Sequence, residues 1–551
     1  MRIVFLLFLC SLVYPVFSQN APAQPKLIVG IVVDQMRYDF LYRYKAKYGP
    51  GGFNRLLREG FSCENTHYNF VPTFTGPGHA AIYTGTTPAV NGIIANDWWD
   101  PAWHKHRYVT TDTTVMPVPP GITKKTGQHS PQVLLSTTIT DELRLSNNFK
   151  SKVVGVCLKD RASILPAGHI PNACYWFDDK SGNWITSSYY QPKDTSLPGW
   201  VQDFNARRLP DLYMSKTWDR LPIGAYDESF QNWDKYDDGK YSRNLKGGFP
   251  HDLPALKKLE GYGVLRFTPY GNTLTLDFAR ETLEKMDMGA DEVCDFLCLS
   301  FSSPDYCAHQ FGIHAEETQD VYLKLDLELA GFLDYLDKKF GKNNVLVFLT
   351  ADHGGAETPS YLVDLNIPAG VFDESKLEET LEQVITAQLG LTGNFIHEAS
   401  NQQIWLNWEA IDDLDMNPEE VAGIIIQYLH AQPGVYDAFT RAELMMLPAD
   451  YPFAPELRRG IHPRRSGDII FQLDPAWHPD DNLFKTGGTT HGSSYPYDTH
   501  VPLLWYGWRV KPGETYAPVN ITDIAPTLAA MLRIMEPNGT TGKVIEELMK
   551  K

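Results

Sequence analysis

Basic residues are in deficit in this chain of 551: 49 Lys and Arg stand against 67 Asp and Glu, a formal charge of −18. So acidic a surface repels the backbone of nucleic acid, which excludes sequence-independent binding of DNA or RNA. It does not exclude a small anionic substrate, because a local positive site can sit in an acidic protein. Beyond the N-terminus no apolar run is long enough to cross a bilayer, so no membrane partner is expected. Repeats and low-complexity tracts are missing, which excludes solenoids and arrays. Cysteine is scarce, seven in all. Cys10 lies in the N-terminal apolar stretch and lacks the small residues that precede a lipidated cysteine. Cys63, Cys157, Cys174, Cys294, Cys298 and Cys307 remain. Export would permit disulfides among them, but Cys157 and Cys298 sit in apolar runs where buried free thiols are commoner, and spacing fixes no pairing.

The N-terminus reads as a signal peptide over 1–18. Arg2 supplies the positive charge, Ile3 to Val16 the apolar stretch, and Val16-Phe17-Ser18 the cleavage signal. The mature chain is then expected to begin near Gln19, in the periplasm or outside the cell. A monomer is expected.

Apolar residues make up 43% of the chain, enough for a sizeable core. Five short apolar runs read as buried parallel strands: Leu27–Val33, Val153–Leu158, Phe296–Phe301, Val345–Leu349 and Val501–Tyr506. Helical patterns lie between them. In Glu316–Lys339, Val321, Leu325, Leu329, Phe332 and Leu336 share one face and Gly341 can end the helix; Asp523–Leu532 has Thr522 as N-cap. The alternation predicts an α/β fold, a doubly wound, mainly parallel sheet with helices on both faces. Two stretches interrupt it. Residues 175–261, aromatic-rich and weakly periodic, read as a long surface insertion. Residues 362–481 carry their own helices (Glu374–Leu389, Pro418–His430) and strands (Gln403–Trp408, Asp468–Leu473) and read as a smaller α/β satellite over the core. The core itself is expected in three parts, 19–174, 262–361 and 482–551.

The chemistry follows the apolar runs. Leu27–Val33 ends in Asp34, Phe296–Phe301 leads into Asp305, and Val345–Leu349 runs into Asp352-His353-Gly354-Gly355. In an open parallel sheet ligands bind beyond the carboxyl ends of the strands, so these acids should converge. One such Asp alone is more often a cap or turn former. Three crowded carboxylates repel unless cations lie among them. Asp305 and His309, spaced i, i+4, fall on one helical face. His491 lies in a glycine-rich stretch before the last strand. Imidazole and carboxylate in nearly equal number favour zinc over magnesium or calcium.

Val71 to His79 opens a helix, where a Thr hydroxyl meets backbone N–H groups that favour an anion. Thr73 or Thr75 is either an N-cap or a metal-activated nucleophile, and spacing does not choose. Lys159 and Arg161 share one side of an extended chain after Val153–Leu158, suited to phosphoryl oxygens but equally to surface acids. Asn96 offers one more hydrogen bond.

The ordered series VVDQMR, PTFTGPGHAAIYTG, ANDWW, LKDRASILPAGH, SSPDYCAH, TADHGG and GTTHG resembles the alkaline phosphatase superfamily, and within it the phosphate-irrepressible, PafA-type alkaline phosphatases of bacteria. The resemblance implies two Zn2+, one held by Asp305, His309 and His491, the other by Asp34, Asp352 and His353 with Thr75 as fourth ligand and nucleophile. It implies that Asn96, Lys159 and Arg161 contact the substrate phosphate. The expected activity is hydrolysis of small phosphate monoesters to inorganic phosphate through a phosphothreonine. The alternative is a phosphodiesterase or nucleotide pyrophosphatase of the same superfamily.

Overall fold

The computed structural model describes residues 24–222, 226, 245, 248–479 and 488–550. The expected signal peptide, 1–18, lies outside the described residues. The elements that build the site are β1 (Leu27–Val33), α1 (Thr75–Thr84), β2 (Val153–Val156), α2 (Asp160–Ala167), β3 (Asp295–Phe301), α3 (Ser303–Phe311), α4 (Glu316–Phe340), β4 (Val345–Thr350) and β5 (Leu503–Gly507).

A ten-stranded sheet forms the core, in the order Gly513–Thr515, Phe61–Cys63, β5, β4, β1, β3, β2, Ala173–Asp178, Asn183–Ser187 and Pro117–Val118. The five strands from β4 to Ala173–Asp178 are parallel. β1, apolar and largely β-branched, is buried at every position, so both faces of the sheet are covered. Val32 pairs with Thr350 and Val33 with Phe301. This register brings the carboxyl ends of β1, β3 and β4 level, with their following residues at one edge.

β5 departs from expectation: it runs antiparallel to β4. An unbroken apolar run records burial on both faces, which a central antiparallel strand meets equally well, so the sequence carried no sign of direction. The aromatic-rich stretch also needs correcting. Ala173–Asp178 and Asn183–Ser187 are strands of the main sheet, so 175–261 begins inside the core rather than as a surface insertion. Trp176, Trp184 and Trp218 are buried, and Trp218 donates from Nε1 to Asp320 of α4 at 2.6 Å. Its weak periodicity reflects two short strands followed by short helices. Near the C-terminus the helix starts at Ile524 with Asp523, not Thr522, at the N-cap. Asn520 and Asp523 there form a capping box around one 3₁₀ turn.

A four-stranded antiparallel sheet, Ile396–Ser400, Gln403–Leu406, Ile469–Leu473 and Val435–Thr440, stands apart from the main one. With the helices Leu377–Leu389 and Pro418–His430 it encloses a second apolar core around Leu381, Ile385, Ile404, Ile425 and Phe471. Side chains tie it to the main body beside Asn96: Asn401 Nδ2 donates to the Asp97 carbonyl at 2.9 Å and Arg465 to that of Val133 at 2.9 Å. All six cysteines from Cys63 onward are buried free thiols. Among the described residues no helix is long and apolar enough to cross a membrane.

Candidate active site

α1 is laid on the sheet by two glycines. A Cβ at Gly30 of β1 would meet the Tyr83 hydroxyl at 2.4 Å, and one at Gly78 would meet the Asp352 carbonyl at 2.2 Å. Only glycine lets the helix approach this closely. Its first residue is Thr75, buried, with Phe74 as N-cap. Thr75 is therefore not a cap. Thr73 Oγ1 is committed to the Ser493 carbonyl at 2.9 Å. Of the two hydroxyls left open by spacing, Thr75 is the one at the helix N-terminus and facing a cation, with Arg161 Nη2 at 3.4 Å from its Oγ1.

Asp34, Asp305, Asp352, His309, His353 and His491 gather against the first turns of this helix, where His79 stands 3.3 Å from Asp352. Ligand atoms of Asp305, His309 and His491 lie within 4.8 Å of one another, as do those of Asp34, Asp305 and His353. Asp305 Oδ1 is 3.1 Å from His309 Nε2 and 3.6 Å from His491 Nε2. His353 Nε2 is 3.5 Å from Asp34 and 3.6 Å from Asp352. Each imidazole is aimed by its other nitrogen: Nδ1 donates to the carbonyl of Thr489 from His309, of Thr73 from His491 and of Gly354 from His353. That turns Nε2 of each ring towards the carboxylates. The His353 and His491 rings stack with centroids 3.5 Å apart.

The electrostatics ask for cations. Burial, together with the charges of Asp305 and Asp352, drives the Asp34 carboxyl well above its ordinary range. Despite equal burial, His309 and Lys159 hold Asp305 well below that range, and His353 and His79 do the same for Asp352. Burial pushes His353 down, and burial plus the neighbouring His353 pushes His491 further. Neutral imidazoles beside crowded carboxylates are a donor set for a divalent ion. Asp34 Oδ1, Asp352 Oδ2 and His353 Nε2 are buried with no hydrogen-bond partner among the described residues. Orphaned atoms of this kind are costly, and a bound ion satisfies all three at once. The residues fit a metal centre.

Lys159 and Arg161 reach the cluster differently from expectation. β2 ends at Val156, Lys159 is the N-cap of α2 and Arg161 lies in its first turn, so the two do not share a strand face. Lys159 Nζ bridges Asp34 and Asp305 at 2.6 Å each. Arg161 Nη1 donates to Tyr108 Oη at 3.0 Å. Asn96 accepts the Gly76 N–H on Oδ1 at 2.8 Å, which leaves its amide N–H groups for a ligand near Thr75.

Several supporting residues escaped the sequence reading. His79 donates from Nδ1 to the Thr75 carbonyl at 2.9 Å, stands 3.3 Å from Asp352, and meets Ser300 through Nε2. Its i, i+4 spacing from Thr75 was the available signal. Tyr108 and Thr110 hold Asp160, and Tyr306 lies under Lys159 with its ring centroid 4.9 Å from Nζ. Asp498 takes the backbone N–H groups of Gly492 (3.1 Å) and Ser493 (2.8 Å), fixing the loop of His491. Nothing in their spacing marked these.

Comparison with known proteins agrees with this geometry. Residues 28–494 match the family described as Type I phosphodiesterase / nucleotide pyrophosphatase. A protein of Myroides odoratus named Calcium-transporting ATPase is 43% identical over 98% of this chain and 98% of its own. Alkaline phosphatase PafA of Elizabethkingia meningoseptica is 42% identical over 96% of this chain and 95% of its own. The crystal structure of wild-type alkaline phosphatase PafA superposes with a TM-score of 0.90 at 41% identity, covering 96% of this chain and all of that one. An alkaline phosphatase-like sheet, the ordered motifs at its strand ends and similarity over nearly the whole chain place this protein in the Type I phosphodiesterase / nucleotide pyrophosphatase family of the alkaline phosphatase superfamily, beside the PafA-type alkaline phosphatases.

Proposed function

We propose that the protein is a phosphomonoesterase that transfers the phosphoryl group of its substrate to Thr75 Oγ1 and then to water. The observation that carries this reading is a buried threonine at a helix N-terminus with an Arg on its hydroxyl, an Asn on the next backbone N–H, and a set of orphaned Asp and His ligand atoms packed against the same helix. Asp305, His309 and His491 would hold one divalent ion and Asp34, Asp352 and His353 the other, with the Asp305 carboxylate also within reach of Asp34 and His353 and so shared between the two. Nitrogen and oxygen donors in equal number favour zinc. Bound there, two zinc ions supply Lewis acidity that lowers the pKa of the attacking hydroxyl and stabilises the departing oxygen.

The chain's own residues do the rest. The N-terminus of α1 presents Thr75 where backbone N–H groups and the helix dipole favour negative charge. Arg161 and the Asn96 amide hold non-bridging phosphoryl oxygens, and Lys159 adds its charge at the carboxylate edge, where stabilisation counts most. His79, fixed by Ser300, holds the Thr75 carbonyl and with it the backbone that carries the hydroxyl. A monoester dianion has oxygens enough for all three contacts; a diester has a carbon substituent where one of them would fall. That favours the monoesterase over the diesterase suggested by the family's description. ATP hydrolysis, half of the Myroides odoratus protein's name, is the same displacement at a terminal phosphoryl group.

Zinc content measured beside the turnover of nitrophenyl phosphate and of the matching diester tests the reading. Two ions per chain and a monoester preference are expected, and a diester preference would overturn the choice. Thr75→Ala should lower turnover by on the order of 10⁴-fold while zinc stays bound; unchanged turnover removes the nucleophile. Export is proposed from 1–18, and a secreted chain beginning near Gln19 by N-terminal sequencing would support it.

A further inference from the structure

The phosphate-contacting residues open onto a cleft of about 990 Å³, whose walls include Lys159, Arg161, Tyr108, Tyr306 and Trp176. Its charge is opposite to that of the protein. Lys124, Lys125, Lys180 and Arg266 line it further out, against Asp97, Asp160 and Asp179. Asp160 is taken by Tyr108 and Thr110, and Asp179 by Arg266 at 3.1 Å. Lys124, Lys125 and Lys180 are exposed and have no ion-pair partner among the described residues. In a chain of formal charge −18, three unneutralised ammonium groups around one concavity concentrate positive potential there.

The outer cations are mounted on the framework of the site. Lys159 and Arg266 both pack on Tyr306, whose ring centroid is 4.9 Å from Lys159 Nζ and 5.5 Å from Arg266 Cζ. Arg266 therefore lies no farther from Lys159 than the sum of those two distances, a span that a short linker crosses. Lys124 and Lys125 belong to a turn anchored to the sheet, since Trp176 Nε1 donates to the Thr126 carbonyl at 2.8 Å. Lys180 is the second residue after the strand Ala173–Asp178 that carries Trp176.

We infer that this cleft is a subsite for the leaving group, and that the preferred substrates are phosphate monoesters whose leaving group carries a second anionic group, a phosphate or a carboxylate. The inference rests on the monoesterase reading and adds the class of leaving group to it. A second anion in the cleft faces the three exposed lysines, with Arg266 on the same walls. Since these lysines touch no reacting atom, they act on capture, and so on kcat/KM, more than on the chemical step.

Two esters of one alcohol test this: 3-hydroxypropyl phosphate and propane-1,3-diyl bisphosphate, at low and high salt. At low salt the bisphosphate should be favoured in kcat/KM by on the order of tenfold, and salt should erase the difference. The variant carrying Lys124→Ala, Lys125→Ala and Lys180→Ala should lose that preference and keep its rate on 3-hydroxypropyl phosphate, which also reports correct folding. The corresponding Lys→Arg variant should regain it. Equal kcat/KM for the two esters in the unmodified protein, or a variant that loses both alike, overturns the inference. Failure of the unmodified protein on both esters sinks the monoesterase reading instead, and the leaving-group class with it.

Discussion

Asp34, Asp352 and His353 stand at the ends of two neighbouring strands and are wholly buried, whereas His309 rides on a helix and His491 on a loop, with 13% and 6% of their side chains exposed. The first side is held by the hydrogen-bonding of the sheet, so its geometry exists before any ion arrives. The second depends on α3 and on a loop tied down by Asp498. Asp305 joins the two, facing His309 and His491 with one oxygen and Lys159 with the other. A rigid half and a softer half sharing one carboxylate should fail in different ways.

The hardest break is Asp305→Ala. It strips a ligand from both donor groups, so both ions should be lost and kcat/KM should fall by on the order of 10⁴-fold or more. Metal analysis beside kinetics decides it, and retention of one full equivalent of zinc would mean that the halves do not share this residue.

His353→Ala and His491→Ala then separate the sides. Removing His353 takes its donor from the Gly354 carbonyl and opens a void at the carboxyl ends of β1 and β4, at a cost of about 1–3 kcal/mol in unfolding free energy measured in chelator. His491→Ala should forfeit zinc and activity with little change in that free energy. Equal destabilisation would erase the distinction.

A gentler probe is Asp498→Asn. It weakens the grip on Gly492 and Ser493, and zinc affinity on the His491 side should drop by about 10–100-fold, with kcat at saturating zinc nearly retained. A comparable drop on the other side would show that the loop supports both.

The smallest effect is a control away from the metals. Asp326 of α4 accepts the N–H of Gly49 and of Phe53, each at 2.7 Å, and burial lifts its carboxyl from 3.8 to about 6 against those two hydrogen bonds. The folded state thus holds this proton more tightly than the unfolded chain. The contribution to stability is complete below about pH 4 and declines as pH rises to about 6. Asp326→Asn should flatten that decline and cost about 1 kcal/mol, with kcat unchanged. Denaturant midpoints between pH 4 and 7 measure it.

Much of this was legible beforehand. Leu27–Val33 was bounded as observed because seven consecutive apolar residues state burial on both faces, and α4 followed from its spaced Val321, Leu325, Leu329, Phe332 and Leu336. The i, i+4 pair Asp305 and His309 could be read as one helical face. The direction of β5, the entry of Ala173–Asp178 into the main sheet and the mount of Lys159 could not, because each depends on which segment lies alongside. Asp498, Tyr108 and Tyr306 were invisible for the same reason: their partners are distant in sequence.

The sequence alone determined that apolar runs would form buried strands and that each of three would be followed within four residues by an acid, since burial and chain reversal are local consequences of residue type. It also determined which side chains were available to a cation. Only the tertiary structure decided that β1, β3 and β4 end level, that Thr75 rather than Thr73 faces Arg161, and that three exposed lysines line one cleft. Register and approach are set by contacts between segments far apart in the chain, where two glycines and a few hydrogen bonds fix positions that no local pattern encodes.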